Sequence, residues 1–174
     1  MIEIIPEWAL TPDDEAQIAQ LITLCFGDDF DNRSYHRHRP HLRVILRDQG
    51  QIIGHIALLL RPVRLGTRLT ETTGLAEVCS HPDHRGTGIA GRLLQTAIRH
   101  ARTAQTEYII LFGTAPLYAG HGFTRQTNIL TFVDLAQNRT TAIISEPAET
   151  LMVLPLRGQI WPDNAPLDML GPLF

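Results

Sequence analysis

Residues 81–94 read HPDHRGTGIAGRLL and hold two overlapping glycine patterns. Gly86 to Gly91 spell G-x-G-x-x-G, and Arg85 to Ala90 spell R-x-x-G-x-A. Each clears side chains so that successive backbone N–H groups can converge on an anion, and each sets that anion at a helix start. The first pattern suits the diphosphate of a dinucleotide. The second suits that of coenzyme A.

Position separates the two readings. A dinucleotide fingerprint wants its first glycine directly after a strand, and an acidic residue ending the next strand about 20 residues on. Here His81 to Arg85 intervene between the strand LAEVCS and Gly86. Glu107 precedes the apolar run YIILFG instead of ending it, and no second βαβ unit follows. The coenzyme A reading meets neither conflict. Arg85 supplies a full charge at the mouth, the helix from Gly88 adds its dipole, and LAEVCS can pair its backbone with the amide-rich pantetheine arm.

These residues need a frame. IEII opens the chain as a short strand. TPDDEAQIAQLITLCF follows as a helix, with Thr11 as N-cap, Pro12 at the first position and Ile18, Leu21, Ile22, Cys25 and Phe26 at helical spacing. GDDFDNRS leads into a short helix or loop. LRVILRD and IIGHIALLLRPVRL read as strands joined at Asp48-Gln49-Gly50-Gln51. TRLTETTGLAEVCS holds a third strand, ending before His81. The helix GIAGRLLQTAIRHAR buries Ile89, Leu93, Leu94, Ala97, Ile98 and Ala101 and exposes Arg92, Gln95, Arg99 and Arg102. EYIILFG is an apolar strand and APLYAGHG a short helix with a glycine stop. NILTFVDL and ETLMVLPL are two late strands, and the tail WPDNAPLDMLGPLF is irregular. The order β-α-(α)-β-β-β-α-β-α-β-β predicts an α+β fold with a mixed sheet, a single domain over 1–174.

Composition narrows the function. The net charge is -3, without the basic excess of a nucleic-acid binder. All 15 basic residues are arginine. No lysine is present to act as catalytic amine, Schiff base or Walker-type phosphate ligand. Cys25 and Cys79 fall on apolar faces and read as reduced thiols, which fits a cytoplasmic protein. The N-terminus has no basic start and apolar core of a signal peptide, and the apolar runs are too short to span a bilayer.

With LAEVCSHPDHRGTGIAGRLL followed by LYAGHGF, the chain resembles the GCN5-related N-acetyltransferase (GNAT) superfamily over nearly its whole length. The resemblance implies the acyl-CoA N-acyltransferase fold, a mixed sheet of about six to seven strands flanked by helices, with acyl-CoA in a V-shaped gap between the fourth and fifth strands. Val78, Cys79 and Ser80 would face pantetheine and thioester. Arg85, Gly86, Thr87, Gly88, Ile89 and Ala90 would hold the pyrophosphate. FGDDF is similar to the aminoglycoside 2'-N-acetyltransferases. RSYHRHRPHLRVI with LMVLPLRGQIWP and GPLF is similar to the rhizobial nodulation N-acyltransferases. The implied function is transfer of an acetyl group from acetyl-CoA to a primary amine of a small molecule, an amino sugar or aminoglycoside-like acceptor among the candidates. A longer acyl chain and a non-catalytic acyl-CoA-binding sensor are the alternatives.

Such a reaction needs a base for the amine, a donor for the oxyanion and a proton for the thiolate. Tyr118 stands where the superfamily places a tyrosine beside the CoA sulfur; otherwise it is a packing tyrosine. The oxyanion donor would be a main-chain N–H near Val78 or Cys79, exposed where the strand bulges. Glu77 is the one carboxylate of LAEVCS, either facing the acceptor cleft or paired with an arginine. A water-mediated base and His121 stay open. The aminoglycoside enzymes carry their carboxylate one residue earlier, where this chain has Ala76, and a one-residue shift changes the strand face. Asp29, with Asp28, could line the acceptor site or be a solvated helix end. His36, His38 and His41 lie among arginines that repel a metal ion, so an acceptor-lining or solvated face is expected, with Tyr35 as a stacking surface. No metal, nucleic acid or membrane partner is expected. The oligomeric state is open, since the tail LDMLGPLF could pack on its own domain or on a second copy in a homodimer.

Overall fold

The computed structural model describes residues 1–174. The chain forms two compact units, Met1–Leu59 with Leu75–His100, and Leu60–Gly74 with Ala101–Phe174. Strands β3 (Gln51–Leu65) and β4 (Arg68–Ser80) contribute residues to both.

In the first unit, β1 (Ile2–Pro6) pairs antiparallel with β2 (Leu42–Asp48), and β2 pairs antiparallel with β3. The β2–β3 turn falls where the sequence places it. Gln49 and Gly50 both have positive φ (45° and 84°), as a two-residue hairpin that follows the strand twist requires. Helix α1 (Pro12–Phe26) starts on a reciprocal cap. The Thr11 hydroxyl accepts from the Asp14 N–H at 3.1 Å, and Pro12 takes the first position. Arg47 then donates to Asp14 Oδ1 at 2.6 Å and to Glu3 Oε1 at 3.2 Å, joining β2 to α1 and β1. Ile18, Leu21, Ile22, Ile45, Ile52 and Cys79 pack into one core.

Helix α2 (Ile89–Ala101) buries the six predicted apolar residues and exposes Arg92, Gln95 and Arg99. Leu93 and Leu94 are 0% exposed, each contributing roughly 1.5–3 kcal/mol by leaving water. The helix lies so close to β3 that a Cβ on Gly54 would meet Ile89 Cγ2 at 2.7 Å and Leu93 Cδ1 at 2.8 Å.

In the second unit, β5 (Tyr108–Phe112) pairs antiparallel with β9 (Leu151–Pro155), which also holds β6 (Thr124–Arg125). The Glu107 N–H donates to Glu71 O at 2.9 Å, tying the start of β5 to β4. Strand β7 (Ile129–Ala136) pairs antiparallel with β8 (Arg139–Pro147) and parallel with β10 (Leu167–Asp168). The parallel pair makes the sheet mixed, and the fold is α+β as expected. One-turn helix α3 (Pro116–Ala119) leads to Gly122, whose φ of 88° turns the chain. The tail is irregular apart from β10, and it is anchored. Trp161 Nε1 donates to Asn128 Oδ1 at 2.8 Å, and Asn128 Nδ2 donates to the Pro162 and Ala165 carbonyls.

Strands β6, β8 and β10 are absent from the expected order. β6 and β10 are two residues each. β8 is nine residues long, yet nearly all of it is exposed, so no apolar alternation marks it. No helix is long and apolar enough to cross a membrane.

Gly54→Ala tests the β3–α2 approach. Overpacking against the branched Ile89 should cost about 1–3 kcal/mol, seen as a lower urea midpoint at unchanged slope. An unchanged midpoint would refute the close approach.

Candidate functional site

β4 changes course at Glu77. Its φ is +54°, a left-handed value for a non-glycine residue within a strand, so the backbone is strained there. The Glu77 side chain is only 5% exposed although the residue as a whole is half-buried, so what solvent reaches is main chain. The sequence expectation puts a bulge near Val78 and Cys79; the residue with left-handed backbone is Glu77.

The strain is held from behind by a buried polar cluster. Arg43 on β2 is 0% exposed. Its Nε donates to Glu7 Oε2 at 2.8 Å, and its Nη2 donates to Glu7 Oε1 at 3.1 Å and to Ser34 Oγ at 3.2 Å. Its Nη1 donates to the Ser34 carbonyl and lies 3.2 Å from His55 Nε2. A guanidinium only donates, so His55 Nε2 accepts. His55 Nδ1, 3.1 Å from the Glu77 carbonyl, therefore carries the proton and donates to it. One neutral tautomer thus links Arg43 to the main chain at Glu77. Burial, and then the charge of Arg43, lower the His55 pKa to about 3.

The Glu77 carboxyl is held unevenly. Oε1 accepts from the His36 N–H at 2.7 Å, whereas Oε2 lies 3.7 Å from Arg43 Nη1 and has no hydrogen-bond partner. Burial raises the pKa to about 7 against the ordinary 4.5, opposing the His36 N–H and Arg43, with Glu7 adding to the rise. Of the two sequence readings of Glu77, the neighbouring arginine is present and the side chain is 5% exposed. An arginine is beside it, but that arginine is bonded to other groups, and one carboxylate oxygen is left over.

Beyond Glu77, Cys79 is buried and Val78 and Ser80 are half-buried. Cys25 Sγ donates to the Ser80 carbonyl at 3.3 Å. A hydrogen bond with Cys79 lowers the Cys25 thiol, aided by Arg85, while that bond and burial push the Cys79 thiol up. A turn over Pro82–His84 then leads to the glycine loop. Gly86 and Gly88 have φ of 76° and 78°, and no atom lies within 4 Å of a Cβ built on either. The Thr87 hydroxyl donates to the His84 carbonyl at 2.6 Å and closes the loop. Arg92 N–H donates to Gly88 O at 3.1 Å, so α2 begins after Gly88 and its first amides have no partner within the helix. The first turn of α2 contains no acidic residue. Ile89 is 5% exposed with its side chain in the core, so it can offer a ligand only its main chain; Ala90 is half-buried and Arg85 exposed.

Asp29 is exposed on the turn after α1 and acts on the His36 ring through its charge. Tyr35 is not a free stacking face: the Arg39 and Arg33 guanidinium carbons lie 4.8 and 5.4 Å from its ring centre. No group of three His, Cys, Asp or Glu has metal-binding geometry. Tyr118 belongs to the second unit. Its ring packs against Gly113, where a Cβ would approach Cε2 to 2.9 Å, and burial raises its pKa. His121 Nδ1 donates to the Leu117 carbonyl at 2.8 Å.

Sequence reasoning missed Glu7, Ser34, Arg43 and His55. A signal was available for two of them: Arg43 and His55 sit inside otherwise apolar strands, where a charged or polar side chain must have a partner.

The sequence model of the acetyltransferase (GNAT) domain matches residues 9–125, more than half of the chain. The chain belongs to the GNAT acetyltransferase family. It is 34% identical over 86 residues to the uncharacterized N-acetyltransferase YjhQ of Escherichia coli K12, covering 49% of this chain and 47% of that protein. The match thus spans about half the length of that curated relative. Among solved structures, a GNAT family acetyltransferase from Brucella melitensis, in complex with acetyl-CoA, superposes with a TM-score of 0.62 at 22% identity, covering 96% of this chain and 94% of the other. YhbS of Escherichia coli, in complex with CoA, gives 0.63 at 17% identity, covering 97% and 88%. Both likenesses concern the fold.

The raised Glu77 pKa has a stability consequence. The folded value of about 7 exceeds the ordinary 4.5, so the contribution is fully present below about 4.5 and lost as pH rises through 7. Wild type minus Glu77→Gln unfolding free energy should therefore fall by on the order of 3 kcal/mol between pH 4.5 and pH 8. Urea titrations of both proteins measure it, and a pH-independent difference would contradict the burial of an ionisable carboxyl.

Proposed function

We propose that this chain is an acyl-CoA-dependent N-acetyltransferase acting on a primary amine of a small molecule. The observation that carries the reading is Glu77: a strained strand residue whose buried carboxyl has a pKa of about 7 and one oxygen without a partner. A base poised near neutral pH is what removal of an amine proton asks for. The family relationship, and the likeness to proteins named as acetyl-CoA and CoA complexes, support the choice of donor.

The glycine loop fits the diphosphate of coenzyme A. Its two left-handed glycines leave open space, the first helical turn holds no competing acid, and Arg85 adds a cation. In this reading Arg85 and the main chain of Gly86, Thr87, Gly88, Ile89 and Ala90 hold the pyrophosphate, and Val78, Cys79 and Ser80 flank the pantetheine. Acetyl-CoA, when bound, supplies the acyl group as a thioester. Glu77 Oε2, buried behind the main chain, receives through water the proton released by the amine nitrogen as its N–C bond forms. The phenol of Tyr118, kept protonated by its raised pKa, holds the proton for the departing thiolate. The main-chain N–H of Val78 or Cys79, next to the left-handed Glu77, is the donor to the developing oxyanion. Asp29 is the proposed contact for a cationic acceptor.

Thiol release from acetyl-CoA, screened over aminoglycosides, amino sugars, polyamines, amino acids and peptides, tests the proposal. Activity is expected on at least one primary amine. Tyr118→Phe should lower kcat by about 10²–10⁴ with acetyl-CoA affinity kept. Arg85→Ala should weaken acetyl-CoA binding by roughly tenfold or more. Failure of the wild type to bind acetyl-CoA sinks the reading. Binding without release on any amine favours the sensor alternative.

A further inference from the structure

The five N–H groups of Arg43 meet acceptors other than the carboxyl of Glu77. Two go to Glu7, two to Ser34 and one to His55. The guanidinium is therefore oriented by Glu7, and Glu77 Oε2 receives its charge across 3.7 Å without a hydrogen bond. Glu7 is in turn held by Arg39 Nη1 at 2.9 Å, and Arg39 Nη2 bonds Glu15 Oε1 at 2.7 Å. A line of alternating charges, Glu15, Arg39, Glu7, Arg43 and Glu77, thus runs from the surface, where Arg39 is 50% exposed, to the buried carboxyl.

We infer that Glu7 is a positioning residue for Glu77: by holding Arg43 in a bidentate pair it denies Glu77 a full ion pair, and so sets the pH at which Glu77 gives up its proton. A single buried cation lies between two carboxylates. The one with the hydrogen bonds ionises readily, and the other pays for it. Burial pushes Glu7 up, but the bonds and charges of Arg43 and Arg39 bring it below the ordinary range. Glu77, facing the same arginine without a hydrogen bond from it, moves the other way. The remaining groups around Glu77 are the N–H and ring of His36 from the loop after α1, His55 from β3 and Cys79 from its own strand. The His36 and His55 rings are held towards neutrality by burial and neighbouring arginines, and the Cys79 thiol is raised. None of the three supplies the missing cation.

The catalytic meaning of this device rests on Glu77 being the base, but the device can be measured without turnover. In full-length protein labelled with ¹³C at glutamate Cδ, the Glu77 titration, assigned by its loss in Glu77→Gln, should have its midpoint near 7. In Glu7→Gln the midpoint should fall by about one pH unit or more, because Arg43 is left with Glu77 as its only carboxylate. In Arg39→Gln, at a half-exposed position that tolerates change, it should rise by a few tenths of a pH unit as Glu7 loses its second cation. Opposite shifts in the two variants sustain the inference. A midpoint unchanged or raised in Glu7→Gln overturns it. If that variant does not fold, Arg39→Gln decides alone: an unchanged or lowered midpoint overturns the inference. The acid limb of kcat/KM for thiol release should follow the same shifts. Midpoints that move while the limb stays fixed leave the tuning intact and remove Glu77 as the base.

Discussion

A guanidinium with no exposure to water must have an acceptor for every N–H and a counter-charge close by. Arg43 meets both demands by drawing together the turn after β1, the loop after α1, β2 and β3. Much of the first unit follows from that single side chain. The fixed tautomer of His55 is a consequence of it, since only an accepting Nε2 can face a guanidinium. The anchoring of the Glu77 carbonyl is a further consequence, since the proton left on Nδ1 has that oxygen to go to. A residue in an unfavourable region of backbone space persists only where its surroundings determine it, and here the surroundings are a cation and its ligands.

The glycine loop depends on a different constraint. A helix beginning immediately after two left-handed glycines exposes its first amides, and α2 can lie in that position because Gly54 lets it approach β3. The open space at the start of α2 is therefore a property of how closely helix and strand pack, as well as of the loop. The apolar stripe of α2 and the missing side chain at residue 54 act together.

What could be read from the sequence was what is local or periodic. The cap at Thr11, the turn at Gln49-Gly50, the buried stripe of α2 and the glycine loop all come from neighbours a few residues apart. β8 escaped because a strand exposed along nearly all its length has no buried face to impose alternation. Its two-residue turn at Gln137-Asn138, both at positive φ, was its only strong mark. The cluster around Arg43 escaped for another reason. Its partners Glu7, Ser34 and His55 lie 36, 9 and 12 positions away, and no short motif spans such separations. Glu77 was visible as a carboxylate in an apolar strand, but whether its arginine was available to it depended on what else that arginine held.

In the proposed reaction Glu77 also sets stability and turnover against each other. Glycine at this position would accept the left-handed backbone freely and would remove a buried ionisable group. Replacements that relieve either burden are favoured wherever survival depends on folding alone, and disfavoured wherever it depends on product. A gene library sorted by heat resistance would collect changes at residue 77, and the same library sorted by growth on the reaction product would discard them.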